Sequence, residues 1–395
     1  MRLSSASLLM STLATLALAA CAESSASDAG LDAGAITDAG ADAGAGADAG
    51  QVADAGEQRD GGEVADASVD GGTTPLSEVH FIGRFEITAP NDARFAWPGS
   101  SVRARFEGTE LSVSLDGTGS DHLDVEIDGA VVDVLTPSAG SGTYVLASGL
   151  AAGQHDVAIT RRTESFFGVT RFRGFSGAPL VPTPAPARFI EFVGDSMTCG
   201  YGVLGPGAEC PFSADTEAET HAFGALTASA LDAAHVAIAY SGKGVVRNYG
   251  GDTDGLLPEL YLRTFADDAS SAYGFDQYVP DVVVINLGTN DYSVGDPGVA
   301  FEEQLAAFVG VIRGHYASAW IILASSPMLT DADHAGHLAH LQAVAGALGD
   351  ARVRVLDLAS QDGANGYGCD YHPSATTHAI MADALEAQIR ALTGW

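Results

Sequence analysis

Hydrophobic patterning divides the chain into regimes. Across residues 79–177 apolar and polar positions alternate in short runs, at 101–106, 111–115, 122–127, 131–135, 143–146, 155–160 and 169–172. A period of two marks half-buried strands. Gly108, Asp116-Gly117, Asp128-Gly129, Gly142 and Gly153 separate most of the runs, and Asp128-Gly129 is the strongest hairpin signal among them. Short strands at this spacing predict a β-sandwich over 77–177. From 188 to 395 the period changes. Apolar runs at 189–193, 235–239, 282–287, 320–324 and 353–356 alternate with helical stretches near 217–233, 298–316, 332–348 and 374–393. That alternation predicts an α/β domain, a parallel sheet with helices on both faces. Between the two regions, residues 178–187 read APLVPTPAPA, a proline-rich and semi-rigid hinge.

The first 76 residues follow neither pattern. Residues 1–20 carry Arg2 and an apolar stretch from about Leu8 to Ala20, too short to span a bilayer, and read as an export signal. Leu18-Ala19-Ala20-Cys21 resembles the bacterial lipobox. The resemblance implies cleavage before Cys21, lipidation of Cys21, and a cell-surface or outer-membrane lipoprotein, or a secreted one if released. Residues 21–76 repeat Asp-Ala-Gly and hold almost no large apolar side chains, which predicts a disordered acidic tether. The repeats lack the ligand spacing of a calcium loop.

The net charge of the 395-residue chain is −33. Most of that excess falls beyond the tether, which argues against nucleic acid and anionic lipid as partners. No other run is long and apolar enough for a transmembrane helix, so the lipid on Cys21 is the one membrane anchor expected. Apart from Cys21, the cysteines are Cys199, Cys210 and Cys369, an odd number for an exported protein. Cys199 with Cys369, or Cys199 with Cys210, are the pairings considered, and the spacing does not choose. No metal site is expected at these cysteines, because no second ligand stands at the right spacing.

The chemistry gathers at the carboxyl ends of the α/β strands, where open sheets of this class place ligands. The first apolar run leads into Gly194-Asp195-Ser196, which sets a serine on a turn at the head of a helix. A hydroxyl needs a base to become a nucleophile. His372, in Gly368-Cys369-Asp370-Tyr371-His372-Pro373, is the natural base. Asn290, in Gly288-Thr289-Asn290-Asp291, offers a side-chain amide to an oxyanion, and Ser241-Gly242-Lys243-Gly244 offers backbone amides. The histidines at 334, 337 and 340 share a helical stretch and read as a solvated face. Trp97 and Tyr144 read as sandwich core.

These four blocks, in this order, resemble the SGNH (GDSL-like) hydrolases. Gly83-Arg84-Phe85, Phe95-Ala96-Trp97-Pro98-Gly99-Ser100, Arg105-Phe106-Glu107-Gly108 and Ile127-Asp128-Gly129 look like the sandwich of carbohydrate esterase family 2. Ser196 to Gly202, Ser241 to Asn248 and Cys369 to Pro373 are similar to that family's hydrolase motifs. The resemblance implies an SGNH-type three-layer, parallel-sheet hydrolase domain preceded by a jelly-roll-like β-sandwich. It also implies a serine esterase that removes O-acetyl groups from plant polysaccharides such as xylan and glucomannan, without a cofactor. Ser196 is then the nucleophile and His372 the base. The Ser196 amide, Gly244 (preferred to Gly242) and Asn290 form the oxyanion hole. Apart from the resemblance, Tyr371 stands beside the base and reads either as a sugar-stacking residue or as packing, and Arg247, which follows the oxyanion loop, reads as shaping the substrate site.

One position departs from the broad pattern. Cys369 stands where an aspartate is expected three residues before the histidine, and Asp370 lies only two before. Either Asp370 or a backbone carbonyl then orients His372. Two rival readings are an SGNH lipase or thioesterase acting on another acyl ester, and a carbohydrate-binding protein without catalysis.

Overall fold

The computed structural model describes residues 76–395. Residues 1–75, where an export signal, a lipidated Cys21 and an acidic tether are expected, lie outside the described residues. Within residues 76–395 no helix is long and apolar enough to cross a membrane.

The sandwich forms as its alternation requires. One sheet runs Leu180–Val181, Ser101–Gly108, Gly153–Arg161, Leu123–Ile127, Ala130–Leu135, with Val79–Ile82 also paired to Ser101–Gly108. The other runs Phe85–Ala89, Asp92–Phe95, Thr170–Ser176, Leu111–Gly117, Gly140–Ala147. Phe95, Phe106, Leu111, Val113, Leu123, Val125 and Phe172 interdigitate between them at no solvent exposure. Asp128 and Gly129 both take positive φ (52° and 78°), as a tight hairpin needs, and Ile127 pairs directly with Ala130. The proline-rich stretch is stitched down rather than free. Leu180–Val181 extends one sheet, and Thr183–Pro184 pairs with Leu76–Ser77.

The second domain carries five parallel strands in the order Ala234–Ala239, Phe189–Gly194, Val282–Asn286, Trp320–Ala324, Val353–Leu356. Numbered along the chain this is 2-1-3-4-5, so the strand order reverses beside the first strand. Helices α1 (Ser196–Cys199), α2 (Phe223–Ala230), α3 (Leu257–Leu260), α4 (Val299–His315), α5 (Asp331–Leu348) and α6 (Ala375–Thr393) follow the strands. Phe189–Gly194, Ala234–Ala239 and Val282–Asn286 are buried throughout, because helices cover both faces.

The two domains share one packed boundary. Trp97 of the sandwich is fully buried among hydrolase residues such as Val236, Tyr261 and Ile285. Arg84 pairs with Glu191 of the first parallel strand at 3.5 Å, both side chains wholly buried. The Tyr261 and Tyr278 hydroxyls also donate to Glu191, and the Arg84 guanidinium lies 4.4 Å over the Tyr273 ring.

The histidine reading of α5 needs correction. His337 is fully buried, its Nε2 donating to the Leu287 carbonyl (2.9 Å) and its Nδ1 accepting from the Ser326 amide (3.3 Å). Burial lowers its pKa to about 4. Its ring fills the space where a Cβ on Gly288 would sit, 2.4 Å from Nε2, so Gly288 must be glycine. His334 and His340 do pair with acids, Asp357 on one side and Asp296 and Glu302 on the other.

Candidate active site

Ser196 sits where the first parallel strand ends, at the reversal of strand order. Asp195 caps α1 by accepting the Met197 amide at 3.2 Å, and Gly200, at φ 74°, ends the helix after one turn. As the first residue of a helix, Ser196 has a backbone N–H with no intrahelical partner. No described residue accepts from it. Burial pushes the Asp195 carboxyl up to about 7.

His372 reaches this turn from the last loop. Its Nε2 stands 2.8 Å from Ser196 Oγ. Its Nδ1 faces the carbonyls of Asp370 (3.2 Å) and Cys369 (3.3 Å). Two carbonyl acceptors require Nδ1 to carry the hydrogen, which leaves Nε2 free to take a proton. Burial lowers the His372 pKa, and the carbonyl bonds oppose the shift. The loop bends to make this approach: Asp370 and Tyr371 both adopt left-handed backbone (φ 51° and 60°), which is uncommon for non-glycine residues.

Asp370 does not orient the histidine through its carboxylate. Its Oδ2 accepts from the Tyr201 hydroxyl (2.8 Å) and the Phe212 amide (3.2 Å), on the far side of the loop. The third possible cysteine pairing forms instead of the two considered: Cys210 bonds to Cys369, and Cys199 stays a buried free thiol. Asp370's amide also donates to the Cys210 carbonyl at 3.1 Å, so the disulfide loop holds the residues whose carbonyls meet His372.

The second block also differs from expectation. Gly244 donates its amide to Asn248 Oδ1 at 3.2 Å, and a Cβ there would lie 2.0 Å from the Arg247 carbonyl. Its glycine is required by local backbone packing, and its N–H is already committed. Gly242 has φ 78°, open space where a Cβ would point, and an amide that no described residue accepts. Gly244 therefore does not fit the oxyanion role, and Gly242 does.

Asn290 follows the third strand, next to the first in the sheet. Its Nδ2 donates to the Lys243 carbonyl (2.8 Å) and Asp195 Oδ2 (3.2 Å), tying the three strand-end loops together. Asp291 Oδ1 takes three successive amides, from Val245, Val246 and Arg247, at 2.8–3.2 Å. Arg247 is spent on structure, donating Nε to the Asp291 carbonyl at 2.6 Å and Nη2 to Gly295 O. Tyr371 is half-exposed and donates its hydroxyl to Glu209 at 2.6 Å.

An aromatic row that sequence reading missed borders the base. Tyr201 stacks on His372 (centroids 4.1 Å apart), Phe212 on Tyr201 (4.2 Å), and Phe166 and Phe167 of the sandwich lie about 6 Å beyond. Tyr201 lies within the Ser196–Gly202 motif. Phe166, Phe167 and Phe212 carry no local signal, because only the chain's path brings them here.

Comparison with known proteins agrees with this architecture. Residues 81–184 match the carbohydrate esterase 2 N-terminal family model, and residues 192–380 match the GDSL-like lipase/acylhydrolase family. A cellulase/esterase, CelE, of Acetivibrio thermocellus is 37% identical over 320 residues, 79% of this chain but 39% of that longer protein. An acetylxylan esterase/glucomannan deacetylase of Cellvibrio japonicus is 31% identical over 344 residues, 82% of this chain and 93% of the relative. A family two carbohydrate esterase from Clostridium thermocellum, solved with cellohexaose, superposes with a TM-score of 0.77 at 36% identity, covering 80% of this chain and 99% of that one.

Proposed function

Because the chain belongs to carbohydrate esterase family 2, we propose that it is a serine esterase removing O-acetyl groups from plant polysaccharides such as acetylated xylan and glucomannan. The observation that carries the chemistry is the 2.8 Å contact between His372 Nε2 and Ser196 Oγ, with Nδ1 fixed on two carbonyls. The substrate class rests on the named relatives.

His372 takes the Ser196 proton as Oγ attacks the acetyl carbonyl. The Ser196 and Gly242 amides hold the tetrahedral oxyanion. Asn290 joins them by releasing its longer bond to Asp195, since donors in resting sites often tighten only around the reacting group. His372 then returns the proton to the departing sugar hydroxyl. Water attacks the acetyl-Ser196 by the same path and releases acetate. The Asp370 and Cys369 carbonyls steady the imidazolium in place of a carboxylate. The aromatic row beginning at Tyr201 gives the sugar an apolar border. At the amino terminus, lipid attachment at Cys21 would tether the enzyme to a membrane surface, with the acidic repeats as the tether.

The deciding experiment is acetate release from acetylated xylan and acetylated glucomannan, comparing wild type with Ser196→Ala. Release by the wild type and a loss of at least ~1,000-fold in the variant support both substrate class and nucleophile. Preference for octanoyl over acetyl esters would move the reading to a lipase. Glycan binding that survives Ser196→Ala, with no ester cleaved by the wild type, would make it a binding protein.

A further inference from the structure

A buried carboxylate pair behind the oxyanion loop is not used by the reaction as written above. Glu164 belongs to the sandwich, in the loop that follows strand Gly153–Arg161. It is fully buried, and it crosses the domain boundary to the hydrolase. Its Oε2 accepts the Ser241 amide at 2.6 Å, and its Oε1 accepts the Ser241 hydroxyl. Ser241 directly precedes Gly242. Glu217, also fully buried, comes from the segment before α2 and accepts the Glu164 amide at 3.2 Å. One oxygen of each carboxyl and the Cys199 sulfur all lie within 4.8 Å of one another.

The loop that presents Glu164 is itself rigidly held. The buried Arg161 guanidinium donates to the carbonyls of Thr163, Glu164 and Gly168 at 2.9 Å and to the Thr170 hydroxyl at 2.8 Å. So a sandwich arginine fixes a sandwich loop, which in turn holds a hydrolase loop by two hydrogen bonds. A carboxylate accepting two donors from one residue sets both the position and the tilt of that residue's peptide.

We infer that Glu164 is a positioning residue for deacetylation: its carboxylate clamps the Ser241 amide and hydroxyl and thereby aims the adjacent Gly242 amide at the oxyanion. The inference rests on the esterase reading and deepens it. It also gives the sandwich a part in catalysis.

The protonation of the pair supports this role. Two buried carboxyls this close repel when both are ionised, so near neutral pH one of them keeps its proton. Burial raises the Glu164 carboxyl as well, but bonds from Glu217 and from the Ser241 hydroxyl and amide oppose that shift, which makes Glu164 the anionic member. Burial and the neighbouring Glu164 push Glu217 well above the usual carboxylate range, so it holds the proton. The other groups facing the pair are Cys199 on α1, whose thiol burial keeps neutral, and Arg161 beneath the loop. Asp195, Tyr201 and Tyr240 act from farther away. Loss of the Glu217 proton at high pH places a second negative charge beside Glu164 and loosens the clamp.

The test compares wild type, Glu164→Ala, Glu164→Gln, Glu217→Gln and Ser241→Ala, with kcat and KM for a small aryl acetate measured across pH. Folding is checked by near-ultraviolet circular dichroism. Removing one oxyanion donor outright costs ~100–1,000-fold in kcat; misaiming it in Glu164→Ala is expected to cost ~30-fold or more, with KM within ~2-fold. Glu164→Gln keeps an acceptor for the Ser241 amide and is expected to recover most of the loss. Wild-type kcat is expected to fall at alkaline pH as Glu217 loses its proton, and Glu217→Gln is expected to remove that fall. Should Glu164→Ala not fold, Ser241→Ala decides in its place, with an expected loss of ~3–10-fold in kcat as one of the two clamp bonds goes. Folded Glu164→Ala with kcat within ~2-fold of wild type at every pH overturns the inference and leaves the esterase reading standing. An inactive wild type overturns the esterase reading, and the inference falls with it.

Discussion

The ring of Tyr201 lies on the imidazole of His372, with centroids 4.1 Å apart and planes 26° from parallel, while its hydroxyl holds Asp370 at 2.8 Å. One side chain therefore supports the base from its face and the preceding turn from its side. Tyr201→Phe keeps the stack, and its kcat is expected to stay within ~3-fold of wild type, whereas Tyr201→Ala should lose ~10-fold or more. Steady-state kinetics on an aryl acetate separate the two.

Asp370→Asn tests who orients the base. In a triad whose carboxylate holds the imidazole, amide substitution costs ~10,000-fold in kcat. Here the carboxylate bonds Tyr201 and Phe212 while the backbone carbonyl faces His372. Asp370→Asn is therefore expected to cost less than ~10-fold, far below that figure. A thousandfold loss would restore the carboxylate to the triad.

Activity should persist into mildly acidic solution. The reaction needs neutral His372, and burial lowers its pKa from 6.5. A lowered value means the imidazole stays neutral further down, so the acid limb of kcat/KM should have its midpoint below 6.5. A midpoint above that value would show that the protonated form is favoured in the free enzyme.

The Cys210–Cys369 bond closes a loop across 159 positions and ends one residue before Asp370. Cys210→Ser with Cys369→Ser is expected to lower stability by about 2–5 kcal/mol, read as the shift in denaturant midpoint. Because Cys369 also supplies a carbonyl to His372, kcat should fall along with stability. Unchanged kcat in the folded double variant would show that the loop holds its shape without the bond.

Arg84 and Glu191 are each fully buried, one from either domain. Removing one partner strands the other charge, so Arg84→Met or Glu191→Gln is expected to cost about 3–5 kcal/mol by denaturant unfolding. If the double variant Arg84→Met, Glu191→Gln is no less stable than either single, the two residues act as a coupled pair.

Local patterning made much of this legible beforehand. The five parallel strands and the helices α4, α5 and α6 fall within a residue or two of their expected bounds, because their hydrophobic period is set residue by residue. Phe85–Ala89 and Asp92–Phe95 escaped notice: the first is mostly exposed and the pair is bulged, so alternation is weak. His337 was misread because α5 looks equally polar all round, yet one histidine turns inward to fill the space above Gly288.

By itself the sequence determined the element types, their order, and a serine, an amide and a histidine each at the end of a parallel strand or before the last helix. Those features depend on neighbours within a turn or a strand, which the pattern of residues records directly. Only the tertiary structure decided which cysteines join, that carbonyls rather than Asp370 face His372, that Gly242 rather than Gly244 keeps a free amide, and that Glu164 reaches Ser241 across 77 positions. These are matters of ångströms between atoms remote in sequence. They follow from how the sandwich, the sheet and the last loop pack together, and no local period carries that information.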